Sequence, residues 1–103
     1  MNQNELEEIL RLHELWLADD KEGKQADLTN ADLTCADLVK ANLRGAILPG
    51  ANLTNADLIG ANLFGANLSN ANLKEANLSN ANLKEASLSY ANLTNANLTD
   101  AKF

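Results

Sequence analysis

The 103-residue sequence predicts an all-β solenoid of four-sided coils, closed at its N-terminal end by one α-helix. Three observations carry that reading. Ala recurs at every fifth position from Ala26 to Ala101, sixteen times without a break. Leu follows each Ala by two residues, from Leu28 to Leu98, with Phe103 in the last place. The first 25 residues lack this beat and carry instead an apolar stripe at three/four spacing.

A step of five suits neither regular element. A straight helix turns about 100° per residue, so five residues advance it by about 140° and the leucines would spiral round its surface. In a straight strand, side chains alternate faces, and an odd step sends successive leucines to opposite sides. The two-residue step from Ala to Leu does fit an extended segment. The chain therefore extends for about three residues and turns inward once per repeat. A side of that length spans about 10 Å, the same distance at which sheets pack face to face. A square satisfies both lengths. Four sides of five residues give a coil of twenty, and residues twenty apart should stack at about 4.8 Å.

The repeat reads A-(D/N)-L-(S/T)-x and resembles the pentapeptide repeat family from Ala26 to Phe103. The resemblance implies a right-handed quadrilateral β-helix, here of about four coils. It also brings a second functional reading, because some members resemble DNA in shape and charge and bind type II topoisomerases.

Two units follow: residues 1–25, a capping helix and linker, and residues 26–103, the β-helix. The helix is expected from residue 4 to about 20, with Asn4 as N-cap and Glu5, Glu7 and Glu8 at the positive end of its dipole. Leu6, Ile9, Leu10, His13, Trp16 and Leu17 share one stripe. A solenoid's first coil exposes leucine edges and unpaired backbone groups, so this helix is expected to cap it, with Trp16 as the plug. Leu12 and Leu15 lie off the stripe and could meet a second chain. Gly23 is expected to mark the break after the helix.

Within the array, the residue between Ala and Leu is Asp or Asn in thirteen of sixteen repeats and faces outward. Asn52, Asn72 and Asn92 are expected to form an amide ladder between coils. Asp37 over Asp57 should repel. Of the fifteen corner residues two after Leu, ten are Gly, Asn or Asp, which tolerate positive φ. Cys35, Lys40, Glu75, Glu85 and Tyr90 do not suit that geometry, so those corners are expected to use another turn. At the far end, Phe103 could plug the open coil, or Leu88, Leu93, Leu98 and Phe103 could meet a second copy end to end.

Composition bounds the function. Net charge is −6, with seven acids among the first 25 residues. Phosphate-backbone binding needs clustered cations and is not expected. MNQNELEE is no signal peptide, and no stretch could span a bilayer. With a single Cys, Cys35, the sequence points to a cytoplasmic protein. The carboxylates are periodic, and neither His nor Cys accompanies them. His13 reads as a packing residue and Cys35 as a bystander. No catalytic constellation, metal spacing, phosphate loop or cofactor is expected. What remains is surface. Val39, Ile47, Ile59 and Phe64 point outward where the core gives them no reason to be apolar. The function expected is therefore a non-enzymatic structural or protein-interaction module of unknown partner, with a topoisomerase-binding DNA mimic as the alternative.

Overall fold

The computed structural model describes residues 1–103. It contains one helix, α1 (Gln3–Leu17), followed by an array in which each turn of chain bridges the next twenty residues on. Parallel bridges pair Asp27 with Ile47, Asp32 with Asn52, Asp37 with Asp57 and Asn42 with Asn62, and continue to Asn82 with Lys102. These four columns are the four faces of the coil, numbered here from the repeat that begins at Ala26. The bridges are isolated and no continuous strand forms. A turn every five residues leaves too little extended backbone between corners for a longer ladder.

Each corner is closed by a hydrogen bond from the Ala N–H to the preceding Leu carbonyl, at 3.0–3.2 Å, as from Ala71 to Leu68. The residue before each Ala has φ between +57° and +70° at all fifteen corners. Cys35, Lys40, Glu75, Glu85 and Tyr90 adopt this left-handed conformation like the rest, so the expectation of a different turn at those corners is wrong. Stacking overrides propensity. The Cys35 N–H must reach the Thr54 carbonyl of the next coil at 2.9 Å, as the Glu75 N–H reaches Thr94, and only a corner of the same shape aligns them. An L-residue in this region costs roughly 1–2 kcal/mol, which one inter-coil bond plus the coil's packing can offset.

The interior is a column of leucines with alanines at the corners. From Leu28 to Leu83 every repeat Leu is 0–2% exposed. Beyond it burial falls off: Leu88, Leu93 and Leu98 are half-buried and Phe103 is 66% exposed, so Phe103 does not plug the open end.

The amide ladder is also absent. Oδ1 of Asn52 accepts from the Thr54 N–H at 3.1 Å and the Thr54 hydroxyl at 2.6 Å. Asn72 does the same with the Lys74 N–H, and Asn92 with Thr94. The local bond two residues on wins because it orders no second side chain. Asp37 and Asp57 spend one oxygen each in this way, on the Val39 and Ile59 N–H groups.

At the N-terminal end α1 lies over the first coil, but it starts and caps differently from the sequence expectation. Asn2, not Asn4, is the N-cap, its Oδ1 accepting from the Glu5 N–H at 2.8 Å. Leu6 is the plug, 1% exposed, with Ile9 and Leu10 packed beside it on the core. Trp16 is 38% exposed and Leu17 half-buried; neither joins the core. Leu6 sits over the leucine column, whereas Trp16 lies at the rim of the coil beside Gly45. The chain leaves the helix through Ala18 and Asp19, which has φ +59°. Gly23 then runs so close to α1 that a Cβ there would sit 2.1 Å from the Trp16 nitrogen.

Candidate functional site

Backbone groups on the upper rim of the first coil have no coil above them, and side chains of the N-terminal segment take that place. Gln3 bonds both the carbonyl and the N–H of Asp37, at 3.0 and 3.3 Å. Gln25 donates to the Gly45 carbonyl at 2.9 Å. His13, fully buried, accepts from the Ala26 N–H through Nδ1 and meets the Arg44 carbonyl through Nε2, each at 2.9 Å. Those partners fix one neutral tautomer, protonated on Nε2. Burial pushes its pKa below the usual histidine value, opposed by the Arg44 carbonyl and by Glu14. Its ring stacks on Trp16 at 5.4 Å. His13 is a packing residue as the sequence suggests, and it is also the hydrogen-bonding hub of the cap.

No three His, Cys, Asp or Glu side chains gather as metal ligands would. A cleft of about 160 Å³ between α1 and the first coil is lined by Ile9, Leu12, Lys24, Gln25, Ala26 and Asp27. Ligand sites usually run to about 300–1,000 Å³. Asp27 and Asp32 are held below the ordinary carboxylate range by their Thr29 and Thr34 hydroxyls and by the N–H groups of the same residues. These carboxylates serve turns.

The outward grid is the remaining candidate. Val39 (42% exposed) and Ile59 (half-buried) occupy successive coils of the third face. Phe64 stands on the fourth face, and Ile47 lies across the next corner on the first. The four residues do not form one patch. The Arg44 guanidinium covers the Phe64 ring at 4.3 Å from its centroid, a cation–π contact that sequence reading missed because the two residues are twenty apart. The twenty-residue stacking rule would have found it. The C-terminal coil offers a second surface, where Leu88, Leu93 and Leu98 are half-covered beside the exposed rings of Tyr90 and Phe103.

No helix is long and apolar enough to cross a membrane. No curated protein matches the sequence. Among solved structures, a pentapeptide repeat protein from Nostoc Pcc 7120 is 40% identical with TM-score 0.76, the match covering 88% of this chain and 71% of that one. One from the Arabidopsis thaliana thylakoid lumen is 38% identical with TM-score 0.73 over 76% of this chain. The match spans 54% of that protein's length. The family model for pentapeptide repeats matches in eight copies, over residues 24–48, 36–74 and 61–100. With its twenty-residue stacking, leucine column and turn at every fifth residue, the chain belongs to the pentapeptide repeat family.

Proposed function

We propose that residues 26–103 form a right-handed quadrilateral β-helix that works as a non-enzymatic protein-interaction module, with residues 1–25 as its cap. One observation carries this. The inward positions from Leu28 to Leu83 are filled, yet Val39, Ile47, Ile59 and Phe64 hold apolar side chains outward on a backbone pinned by inter-coil bonds. A rigid grid with apolar points on it suits recognition of another protein. Affinity capture with the wild type and with Ile59→Asn tests the reading. A protein retained by the first and lost by the second is expected; identical captures, with no partner for either, would sink it.

The half-covered leucines of the last coil support a homodimer stacked end to end through Leu88, Leu93, Leu98 and Phe103. Leu93→Asp should then halve the mass seen by light scattering. A wild type of monomer mass at every concentration rules the dimer out. We place the protein in the cytoplasm on the strength of its single unpaired Cys35. The DNA-mimic reading draws no support from the charges, because seven of the fourteen acids lie in the first 25 residues and the shaft itself carries five cations.

A further inference from the structure

Three of the five array cations lie on the fourth face and a fourth stands at its edge. Lys40 stands at the corner that opens the fourth face; Arg44 and Lys84 share its outward column with Phe64 between them; Lys102 stacks on Asn82. Only Lys74 lies elsewhere, on the second face. The array's acids keep off the outward column of this face. Asp27 is on the first face, Asp32 and Glu75 on the second, and Asp37 and Asp57 on the third, while Asp100 stands in the corner column of Lys40 and Glu85 at the closing corner. A chain of net charge −6 thus carries one cationic stripe.

The stripe is unpaired. The protein's one ion pair is Glu8 with Arg11, on α1. Arg44 is exposed and bonds no carboxylate, while Phe64 holds its guanidinium in place at 4.3 Å. A stacked guanidinium keeps its N–H edges free for a planar acceptor and loses less freedom when it binds one. Beside it the closing corner carries no side chain in the first two coils, before Glu85 in the third. Gly45 and Gly65 stack there, and a Cβ on Gly65 would meet nothing within 4 Å. The Trp16 ring marks the upper end of this ledge, 3.9 Å from where a Gly45 Cβ would stand.

We propose that the fourth face, through Lys40, Arg44, Phe64, Lys84 and Lys102, docks an extended acidic segment of a partner protein. Arg44 takes a carboxylate through two N–H donors, and the Gly45–Gly65 ledge admits the partner's backbone. Arg44 and Lys84 are two coils apart, about 10 Å, while alternate side chains of an extended chain lie about 7 Å apart. Both cations can therefore reach carboxylates of one segment laid along the shaft. Charge complementarity selects a short acidic peptide over a nucleic acid. A phosphate backbone, with one charge per roughly 1.7 Å of duplex, would run past this narrow stripe onto the acidic cap and third face. The proposal rests on the interaction-module reading and names its partner's chemistry.

Fluorescence anisotropy with a fluorescein-labelled oligo-glutamate peptide tests it on the full chain. Saturable binding that weakens with added salt is expected. Arg44→Gln should weaken it by about tenfold or more, the effect of one charge-assisted bidentate contact. Phe64→Leu should weaken it less, and Lys74→Gln not at all. Thermal unfolding of each variant shows whether the fold is kept. Absence of saturable binding by the wild type overturns the proposal, as does equal loss in Lys74→Gln or equally tight binding of single-stranded DNA. A fall in oligomeric mass in Arg44→Gln would make the occupant a second copy and also overturn it. If Arg44→Gln still captures the partner that Ile59→Asn loses, the module reading stands and this face falls.

Discussion

Replacing His13 by Ala should remove a large share of the protein's stability, although the residue touches no ligand. Its ring is wholly buried and bonds two backbone groups of the array, the Ala26 N–H and the Arg44 carbonyl, at 2.9 Å each. Ala26 is itself only 2% exposed. Each buried group left unpaired costs about 1–3 kcal/mol, so the two together should cost about 2–6 kcal/mol. A domain of this size has roughly 5–15 kcal/mol in all. Urea unfolding followed by circular dichroism at neutral pH measures the difference. A loss under about 1 kcal/mol would show that water replaces the ring easily, and would refute the hub role.

Acid gives an independent reading of the same residue. Burial lowers the native pKa of His13 below its ordinary 6.5. On acidification the unfolded chain binds the proton first, so the stabilisation is complete above about pH 6.5 and fades as pH falls through the lowered native value. One proton limits the slope to about 1.4 kcal/mol per pH unit. Asp27 and Asp32 act in the same direction only below their ordinary 3.8, so they do not obscure this window. His13→Gln retains a donor and an acceptor but does not titrate, and its stability should be flat between these limits. A flat wild-type profile there would contradict the fixed neutral tautomer.

Other substitutions probe the array and the linker. Leu63→Ala, in a site of zero exposure, should cost about 2–5 kcal/mol, and Leu93→Ala in the half-buried last coil clearly less, both measured by urea unfolding. Tyr90→Gly should raise stability by up to about 1 kcal/mol, because Tyr90 holds φ +60° with its side chain 91% exposed; a lower melting temperature would mean that the ring packs usefully. Asn72→Ala should cost about 0.5–1.5 kcal/mol by removing the bond to the Lys74 N–H, and Asn72→Asp much less. Gly23→Ala should destabilise by about 1–3 kcal/mol, since the new methyl would meet the Trp16 backbone at 2.1 Å.

The shaft was legible in the sequence because one rule, a turn every fifth residue, is written sixteen times. Failures came where that rule meets a non-repeating neighbour or a competing local bond. Trp16 looked like the plug because it is the largest apolar side chain on the stripe. Which turn of a helix covers a coil depends on where the linker releases it, and residues 18–25 carry no periodic signal for that. Leu6, one of several equivalent stripe residues, gave no hint that it would be the deepest. Glu75 and Tyr90 were misjudged by their own propensities, when the neighbouring coils, on both sides of Glu75 and on one side of Tyr90, had already decided the corner. The cation–π pair of Arg44 and Phe64 obeys the stacking rule but is invisible to a reading that moves one residue at a time.

The small bond between each outward Asx oxygen and the N–H two residues on has a wider consequence. It uses only an acceptor, which asparagine and aspartate supply alike. Asp27 and Asn52 make it with the same partner type at the same 3.1 Å. The family can therefore recolour its electrostatic surface residue by residue without renegotiating its shape. A direct exchange of asparagine for aspartate should likewise make the shaft more acidic while leaving every storey in place.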